Sequence, residues 1–454
     1  MATHGTTVTL DAFVDEGLGN SSYLVGIGDG RALALDPPRD VTRLREAAGS
    51  RQLTIAYAVE THLHADFVSG SRELAAFGAT VVAARTANLA FAHHPLVDGD
   101  ELDLGGLTLE AIATPGHTPE HLSYLLRDGR MPVALFSGGA LLPGSVARTD
   151  LISPQRTEPL ARALYRSLRE RILSLPDDLP VYPTHGGGSF CSTAASGERT
   201  TTIGRERATN PLLAVPDEDT FVARLAESFG TYPTYFTRLR EVNRRGPKVN
   251  GGVPPLAELD LAEVDRLRNA GAELIDARSI AAYAAGHIPG SLSIALRPAF
   301  VSWLGWVVPD DRPLVFVLDR GQDRADLVRQ ALGIGYEHLA GELGGGIDTW
   351  RAAGRPVAVT ELTATASATG PILDVRQASE FREGHVRGAT GLELGSLPRD
   401  IGHVADRVTV MCGHGERAMT AASLLERQGR PARVFDGGPD DWSRLSGDPL
   451  ERGR

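Results

Sequence analysis

Short apolar stretches separated by glycine and aspartate residues dominate the beginning of the chain. TVTLDAFV, SSYLVGIG, RALALDP and LTIAYAVE predict four strands, and SGSRELAAFGATVVAA predicts a helix followed by a fifth strand. GLTLEAIATPGHTPEHLSYLLRDG predicts two more strands around a loop. In EPLARALYRSLRERILSL, Leu160, Leu164, Leu168 and Ile172 recur every four residues, which predicts an amphipathic helix. Residues 1 to about 210 are therefore predicted to form a mixed α/β unit.

A segment rich in proline, glycine and asparagine, RRGPKVNGGVPPLAELD, predicts a domain boundary near residue 250. Beyond it the sequence repeats itself, because LIDARSIAAYAAGHIPGS at 274–291 matches LDVRQASEFREGHVRGAT at 373–390. Identical residues recur in the two copies: Asp276 and Asp374, Arg278 and Arg376, His287 and His385, Gly290 and Gly388, Arg324 and Arg417, and Trp350 and Trp442. A period of roughly 90 residues indicates tandem globular domains and not a solenoid. We therefore predict three domains, at residues 1–250, 256–355 and 363–454.

Length and composition agree with this organisation and exclude several functions. A chain of 454 residues is longer than one hydrophobic core normally serves. Its 46 basic and 57 acidic residues give a net charge of -11, which disfavours nucleic acid and anionic membranes as partners. No apolar run approaches the roughly 20 residues that span a bilayer. With two cysteines and an N-terminus unlike a signal peptide, we expect a cytoplasmic protein.

Histidines follow several of the predicted strands. THLHADF spaces His62, His64 and Asp66 two residues apart, TPGHTPEH carries His117, and YPTHGGGSF carries His185. A loop that leaves a strand can turn successive side chains toward one point, and imidazole with carboxylate suits zinc or iron. One such histidine by itself would more often be a hydrogen-bonded structural residue. Three loops of this kind predict a metal site.

The N-terminal unit resembles the metallo-β-lactamase fold, and most of all the persulfide dioxygenases related to glyoxalase II. The resemblance spans residues 8–205 and rests on THLHADF, TPGHTPEHLSY, FSGGALLPGSVARTDL and YPTHG. It implies an αββα sandwich with a mononuclear iron, held by the first histidine of the H-x-H loop, the histidine of the TPGH loop and an aspartate. His62 and His117 match the two histidines, but Gly139 occupies the position of the aspartate.

Two positions depart from what this resemblance implies for the metal. Phe67 stands where such loops usually carry a further histidine, and Phe67 and Gly139 each remove one ligand of a two-metal site, which disfavours binuclear hydrolysis. For a mononuclear site we expect a face of three imidazoles, with two further side chains as outer groups or substitute ligands. The face is His62, His64 and His117, and the further two are Asp66 and His185. Fe(II) is the expected ion, and Zn(II) is the alternative. A third hypothesis is a fold that has lost its metal.

The segment ARTDL corresponds to a motif near the thiol carrier in the resembled enzymes. Two interpretations stay open. Arg148 binds a carboxylate or phosphate of the substrate while Asp150 orients a histidine, or the two residues form an ordinary ion pair. Cys191 follows the glycine-rich HGGGSFCS and is close in sequence to His185, and we expect it to be a buried, inert thiol.

The strongest chemical signal lies near the C-terminus, in VTVMCGHGERAMTAASLL. An apolar strand delivers Cys412 to a six-residue loop, and a helix follows at once. Consecutive N–H groups of such a loop, together with the helix N-terminus, form an anion-binding nest that favours a thiolate or persulfide. We expect Cys412 and the cationic Arg417 to act in catalysis. The loop residues between them are expected to bind the substrate: Gly413, His414, Gly415 and Glu416.

Both repeats resemble rhodanese domains, through LDVR, EFREGHVRGAT, the cysteine loop and GGPDDW. The predicted fold class is thus α/β, with two tandem rhodanese-like domains after the metallo-β-lactamase sandwich. The resemblance implies that Cys412 takes a sulfane sulfur as a persulfide and passes it to an acceptor. In the first copy the equivalent loop reads LDRGQDR, with Asp319 in place of the thiol. Because a carboxylate cannot carry sulfane sulfur, we expect this copy to be silent and to act as a scaffold or docking surface.

Together these features favour an enzyme of sulfur metabolism. We expect the metal domain to oxidise a low-molecular-weight thiol persulfide with O2 toward sulfite, while Cys412 exchanges sulfane sulfur with thiosulfate or sulfite. Two alternatives stay open: a sulfurtransferase whose metal-free N-terminal domain only binds a ligand, and a mononuclear zinc thioester hydrolase. The sequence also leaves open the identity of the thiol and whether the chain forms a homo-oligomer.

Overall fold

The computed structural model describes residues 8–192, 197–366 and 370–453, and the chain divides into two compact units. The first unit comprises Met1–Val253 with Leu332–Gly335, and the second comprises Pro254–Ala331 with Tyr336–Arg454. Within the described ranges, every helix is too short or too polar to span a lipid bilayer.

Two six-stranded sheets form the centre of the first unit. The first sheet follows chain order, antiparallel from β1 to β3 and parallel from β3 to β6: β1 (Thr9–Asp15), β2 (Asn20–Gly26), β3 (Arg31–Leu35), β4 (Thr54–Val59), β5 (Thr80–Ala84) and β6 (His94–Leu96). The second sheet is ordered 12-11-10-9-8-7, with β10 and β11 parallel: β7 (Glu101–Asp103), β8 (Leu107–Ala113), β9 (Leu122–Asp128), β10 (Met131–Gly138), β11 (Pro180–Pro183) and β12 (Thr201–Thr202). All seven strands named from sequence in this unit are present.

Helices flank the two sheets. They are α1 (Thr42–Ser50), α2 (Ser71–Ala76), α3 (Pro154–Arg166), α4 (Ile203–Thr209), α5 (Glu218–Glu227) and α6 (Phe236–Arg245). Alternate residues of β9 show the layering, because Tyr124 packs in the core shared by the two sheets, whereas Leu125 packs with Leu164 of α3. On the other side, Leu24 of β2 packs with Leu44 of α1. The predicted αββα sandwich is confirmed.

The amphipathic helix predicted from the four-residue leucine spacing is confirmed, with different ends. It begins at Pro154, four residues before the predicted start, because proline is well suited to the first helical turn. A π-helical turn, Ser167–Ile172, continues it. The four residues that carried the prediction are all buried: Leu160, Leu164, Leu168 and Ile172.

Two five-stranded parallel sheets of the same topology form the second unit, as its sequence repeat predicts. The first has the order 13-17-16-14-15: β13 (Glu258–Leu259), β14 (Glu273–Asp276), β15 (Leu292–Ser293), β16 (Leu314–Val317) and β17 (Leu339–Leu343). The second has the order 18-22-21-19-20: β18 (Glu361–Thr363), β19 (Ile372–Asp374), β20 (Thr390–Gly391), β21 (Thr409–Met411) and β22 (Arg433–Phe435).

Helices connect these parallel strands, as parallel pairing requires. In the first copy they are α7 (Leu261–Asn269), α8 (Ile280–Ala285), α9 (Phe300–Val307), α10 (Arg324–Gly333) and α11 (Gly346–Ala352). In the second copy they are α12 (Ala378–Glu383), α13 (Leu397–Asp400), α14 (Glu416–Arg427) and α15 (Pro439–Ser446).

The residues repeated between the copies hold the frame of each domain. Arg278 donates to both oxygens of Asp276, at 2.9 and 2.6 Å, and also to the carbonyl of Gly286, which ends α8. Arg376, Asp374 and Gly384 repeat this arrangement in the second copy. The repeated histidines stack on aromatic rings at 3.8 Å in the same way, His287 on Tyr283 and His385 on Phe381. These matches therefore report a shared fold and do not mark reacting groups.

Candidate metal centre and sulfur-transfer loop

Three loops at strand ends bring the predicted metal ligands together. One follows β4, one joins β8 to β9, and one follows β11. The five residues that they carry are buried, with exposed fractions of at most 3%: His62, His64, Asp66, His117 and His185. The structure thus gathers all five into one buried cluster.

Side chains from distant segments hold the first of these loops. Asn243 of α6 donates to the carbonyls of His64 and Phe67, at 2.9 Å each. Glu120 accepts from the N–H of Leu63 at 3.1 Å. Because the loop has no regular secondary structure, these bonds satisfy its buried backbone groups and determine where its histidines point.

Three imidazoles converge within the cluster. Nε2 of His62 lies 3.3 Å from Nε2 of His185, and ligand atoms of these two residues and of His117 lie within 4.8 Å of one another. Each ring contacts a buried oxygen through Nδ1: Thr61 Oγ1 at 2.8 Å for His62, the Arg148 carbonyl at 2.6 Å for His117, and Asn20 Oδ1 at 3.0 Å for His185. The rings therefore present their Nε2 atoms toward one another.

His64 points its Nε2 away from this trio. That atom lies 3.1 Å from Asp36 Oδ1 and 3.1 Å from Glu60 Oε2. Burial alone would lower the pKa of His64, but Asp36 and Glu60 raise it to about 10. A protonated His64 is therefore part of a buried charge network with two carboxylates.

The expected three-imidazole face thus differs from the observed one. His185 takes the third place beside His62 and His117, because the two carboxylates hold His64 by its Nε2. His64 instead forms a neighbouring group with Asp66 and His185, whose ligand atoms also lie within 4.8 Å of one another.

Phe67 and Gly139, the two positions that depart from the family pattern, each pack closely against a histidine ring. The ring of Phe67 stacks on the ring of His64, with centroids 4.2 Å apart, so an apolar side chain fills the place of an additional ligand. A Cβ atom built on Gly139 would lie 2.7 Å from Cδ2 of His117 and 3.0 Å from Cβ of Ala147. The ring of His117 therefore occupies space that a side chain at position 139 would need.

Burial keeps most of the clustered histidines neutral. It lowers the pKa of His62 and of His117 well below the ordinary value, and neighbouring imidazoles act in the same direction. Burial also lowers the pKa of His121 to about 3. For Asp66, burial would raise the pKa, but the imidazole of His185 holds it below its usual range. Neutral imidazoles beside an ionised carboxylate are the protonation states that bind a metal.

Four residues of this site were not singled out from the sequence: Asn20, Asp36, Glu60 and His121. Asp36 and Glu60 each come directly after a strand, in RALALD and TIAYAVE, which is the signal that could have found them. His121 lies in the quoted TPGHTPEH motif, and its Nε2 accepts from the N–H of Gly139 at 2.9 Å. Asn20 begins β2 and carries no local signal of its role.

Of the two interpretations of ARTDL, the structure favours the ion pair. Arg148 donates to both oxygens of Asp150, at 2.6 and 2.7 Å. Its guanidinium also donates to the carbonyls of Phe190 and Gly230, and the residue is 3% exposed. The predicted substrate clamp is therefore not seen, because every nitrogen of this guanidinium already has a protein acceptor.

Cys191 is fully buried, as predicted, and its thiol is free. Burial raises its pKa well above the ordinary value, and the nearby carboxylate of Asp66 acts in the same direction. Its carbonyl accepts from the N–H of Arg148 at 2.9 Å. A thiol in such surroundings stays protonated and unreactive.

The residues present fit a bound transition metal. Nε2 of His117 is buried and has no hydrogen-bond partner, an arrangement that costs free energy unless a ligand satisfies it. Imidazole nitrogens suit iron and zinc alike. The donor set therefore supports a metal centre without deciding between the two ions.

In the second unit, Cys412 lies at the end of β21 and is 1% exposed. The N–H of Gly415 points at its Sγ atom, at 3.1 Å. Gly415 has φ of +86°, so a side chain there would be strained, and it directly precedes α14. His414 is exposed at the tip of the loop, and Gly413 is half-buried. The predicted strand, loop and helix around the thiol are all present.

Glu416 and Arg417, which the sequence placed in the loop, begin α14, and both are paired. Arg417 donates to both oxygens of Glu380, at 2.6 and 2.8 Å, and its guanidinium carbon lies 5.3 Å from the centre of the Trp303 ring. Burial would lower the pKa of Arg417, but Glu380 raises it. Glu416 lies 3.4 Å from Arg297. Both Arg297 and Trp303 belong to the first copy, so that copy borders the cysteine loop.

The equivalent loop of the first copy is closed by its own side chains. Asp319 is exposed, and its N–H donates to Oε1 of Gln322 at 2.8 Å. Gln322 also donates to the carbonyl of Ala277 at 2.7 Å. Arg324 donates to the loop carbonyls of Asp319 and Gln322 and to both oxygens of Glu342.

An αββα sandwich with histidines on strand-end loops defines the first unit as a metallo-β-lactamase fold. Comparison with family models agrees: the metallo-beta-lactamase superfamily model matches residues 15–185, and the rhodanese-like domain model matches residues 260–353 and 358–445. Persulfide dioxygenase ETHE1 of Homo sapiens is 35% identical over 187 residues, covering 39% of this chain and 68% of that protein. The chain belongs to the metallo-beta-lactamase superfamily, in the group that includes the ETHE1 persulfide dioxygenases, and it carries two rhodanese-like domains in addition.

Two further relatives extend these comparisons. A hydroxyacylglutathione hydrolase of Methylobacillus flagellatus is 34% identical over 159 residues, covering 34% of this chain and 58% of that protein. The crystal structure of a metallo-beta-lactamase from Staphylococcus aureus aligns with 74% of this chain and 98% of its own, at 29% identity and a TM-score of 0.65. That alignment covers more of the chain than the metallo-β-lactamase domain alone, so the solved structure shares part of the second unit as well.

Proposed function

We propose that this chain oxidises a low-molecular-weight thiol persulfide with O2 at a single iron ion in the first unit and transfers sulfane sulfur at Cys412 in the second. The observation that carries the proposal is the combination, in one chain, of a buried imidazole cluster with an unsatisfied His117 Nε2 and a cysteine in an N–H-lined loop. Similarity to persulfide dioxygenases over 187 residues supports the first activity, and the rhodanese-like match over 358–445 supports the second.

For the oxidation, the overall reaction is RSSH + O2 + H2O → RSH + SO3²⁻ + 2H⁺, in which the outer sulfur is oxidised and O2 is reduced. A bound Fe(II) would supply the redox centre at which sulfur and O2 react. The chain's part is to hold His62 and His117 in position and to keep the cluster buried. A buried site has a lower effective dielectric constant than water, which strengthens electrostatic interactions, and burial limits access of bulk water.

For the transfer, the Cys412 thiolate attacks the outer sulfur of thiosulfate. A sulfur–sulfur bond forms to Sγ, the bond to the sulfonate sulfur breaks, and sulfite leaves with the electron pair. The N–H of Gly415, 3.1 Å from Sγ, is placed to stabilise negative charge on the cysteine sulfur. The protein persulfide then passes its outer sulfur to a thiol or returns it to sulfite.

Two activities on one chain suit this substrate class. Sulfane sulfur loaded at Cys412 and passed to a small thiol yields the persulfide that the metal unit consumes, and tethering raises the effective concentration of the second site. Both cysteines are free thiols, which agrees with a reducing compartment such as the cytoplasm.

Mononuclear zinc hydrolysis of a thioester is the second candidate, favoured by the 34% identity to a hydroxyacylglutathione hydrolase. Loss of ligands at Phe67 and Gly139 argues against the two-metal form of that reaction. A sulfurtransferase with a metal-free first unit is the third.

Metal analysis and an oxygen electrode separate these candidates. The chain is purified anaerobically with Fe(II), its metal content is measured, and O2 uptake is followed with glutathione persulfide. Iron together with persulfide-dependent O2 uptake and sulfite release is expected. Zinc with hydrolysis of lactoylglutathione would favour the hydrolase. A metal-free chain that still transfers sulfur from thiosulfate to cyanide would favour the sulfurtransferase.

A further inference from the structure

We propose that the metal ion is held by three imidazoles, His62, His117 and His185, without a carboxylate ligand, and that Gly139 is required to keep His117 in place. The inference deepens the function proposed above and rests on it for the identity of the substrate. It assigns His185 the place that the missing aspartate would take, and it predicts that restoring an aspartate at position 139 weakens metal binding.

The hydrogen bonds of the cluster decide where each imidazole carries its proton. Nδ1 of His117 lies 2.6 Å from the carbonyl oxygen of Arg148, which can only accept. Nδ1 of His185 lies 3.0 Å from Asn20 Oδ1 and 3.3 Å from a carboxylate oxygen of Asp66, and both are acceptors. Both rings therefore bear N–H at Nδ1, and each of them, when neutral, has its lone pair at Nε2.

His62 reaches the same state through a chain of bonds. Oγ1 of Thr61 donates its one hydrogen to the carboxylate of Asp36, at 2.8 Å. The same oxygen lies 2.8 Å from Nδ1 of His62, so here it must accept, and the proton of His62 is on Nδ1. Its Nε2 thus also carries a lone pair.

When all three rings are neutral, three lone pairs face one another in a buried space. In that state the 3.3 Å contact between Nε2 of His62 and Nε2 of His185 joins two acceptors. Nε2 of His117 has no partner, although the residue is 1% exposed. Two nitrogens bound to one ion at roughly 2.1 Å lie about 3.0–3.4 Å apart, which matches the observed contact. A cation among the three rings removes the repulsion that the bare cluster would have.

A carboxylate still contributes, one bond removed from the ion. Asp66 is 2% exposed, and one of its oxygens lies 3.3 Å from Nδ1 of His185, on the side where carboxylates commonly support metal-binding histidines. From there the carboxylate is placed to orient the ring and to increase the basicity of Nε2. In the family the negative charge is on an aspartate at position 139. Here the carboxylate of Asp66 supplies it, behind the ring of His185.

The steric argument concerns Gly139. A Cβ atom there would lie 2.7 Å from Cδ2 and 2.9 Å from Cγ of His117, distances that force the ring to move. The ring cannot retreat freely, because its Nδ1 is fixed by the Arg148 carbonyl. Any side chain at position 139, including aspartate, therefore displaces a ligand before it can offer one.

Titration of the full-length apo-protein with Co(II) tests the ligand set. Visible absorption reports coordination, and metal analysis after desalting gives the number of ions per chain. His185→Asn keeps an N–H donor near Asp66 and Asn20 but removes Nε2. The matched variant His64→Gln keeps an N–H donor to Asp36 and Glu60 but removes Nδ1. Gly139→Ala adds only the Cβ atom, and Gly139→Asp adds the carboxylate of the family.

We expect one ion per wild-type chain. Affinity should fall about a hundredfold in His185→Asn, by about tenfold in both Gly139 variants, and by at most about threefold in His64→Gln. Thermal unfolding of each apo-protein shows whether the variant is folded. Tighter binding by Gly139→Asp, unchanged binding by His185→Asn, or a larger loss in His64→Gln than in His185→Asn would overturn the ligand set.

The outcome also separates this inference from the proposed function. Three-imidazole binding without persulfide-dependent O2 uptake would uphold the ligand set and contradict the oxidation. O2 uptake that survives in His185→Asn with unchanged affinity would do the reverse. A wild-type chain that binds neither Co(II) nor Fe(II) would overturn both.

Discussion

The two rhodanese-like copies share a sheet order and a frame of paired residues, yet only one of them carries a cysteine in its loop. In the second copy, Gly415 leaves its N–H free to meet the sulfur of Cys412. In the first, Gln322 occupies the equivalent position, and its side chain caps the N–H of Asp319. The first copy thus differs from the second in two respects, the residue at the cysteine position and the hydrogen bonding of the loop N–H groups, and only the structure shows the latter difference.

Their cationic residues differ in the same manner. Arg417 is bound by Glu380 from α12, whereas Arg324 is bound by Glu342 from β17 and also donates to its own loop's carbonyls. The guanidinium of Arg417 therefore does not hydrogen-bond to its own loop in these contacts, while that of Arg324 does. A residue that is repeated in both copies thus keeps its structural role more readily than its chemical role.

The largest effect is expected from the nucleophile itself. Cys412→Ser should lower thiosulfate:cyanide sulfurtransferase activity by roughly a thousandfold or more, because serine cannot form a persulfide. Cys191→Ala is the matched control and should retain activity, since that thiol is buried in the other unit. Persulfide-dependent O2 uptake should persist in Cys412→Ser. Retained sulfur transfer in this variant would remove Cys412 from its role.

A cysteine introduced into the first rhodanese-like copy tests whether the hydrogen bonding of the loop N–H groups matters for reactivity. In the Cys412→Ser background, Asp319→Cys alone should give no measurable transfer, because Gln322 still occupies the loop N–H. Adding Gln322→Gly should make the introduced thiol about tenfold more reactive toward iodoacetamide, as the freed N–H groups stabilise the thiolate. Equal reactivity of the variants with and without Gln322→Gly would mean that the nucleophile alone separates the copies.

The bidentate ion pair beside Cys412 should matter less. Glu380→Gln should reduce kcat/KM for thiosulfate by about tenfold, because Arg417 loses charge-assisted hydrogen bonds worth roughly 1.5–3 kcal/mol. Glu342→Gln removes the corresponding pair in the first copy and should leave kcat/KM unchanged. A similar loss in both variants would point to a general effect on folding.

The smallest expected effect concerns the border between the copies. Trp303→Ala removes the ring beside Arg417 and should raise KM for thiosulfate by about threefold, in line with a partly exposed cation–π contact. Trp303→Phe keeps a ring face and should restore most of the affinity. A change in kcat with KM unaltered would contradict a role in positioning Arg417.

Much of the architecture could be predicted because it depends on local pattern. Strands of the first unit, the α3 periodicity and the repeat at about 90 residues all follow from which neighbouring residues are apolar. The metal-loop histidines and Cys412 were also recognisable, since each follows an apolar strand within a short motif. Two features could not be predicted. One is which imidazoles lie together, and the other is that the guanidinium of Arg148 donates all its hydrogen bonds to Asp150, Phe190 and Gly230.

By itself, the sequence determined the order of the domains, the repeat, the absence of a thiol in the first rhodanese-like copy and the loops on which the candidate site residues lie. Only the tertiary structure decided that His185 joins His62 and His117, that Asp36 and Glu60 draw His64 aside, and that Gln322 closes a loop. The physical reason is the same in each case. Most of these contacts join side chains from segments far apart in the chain, and several partners compete for them in a buried space where an unsatisfied polar atom costs free energy.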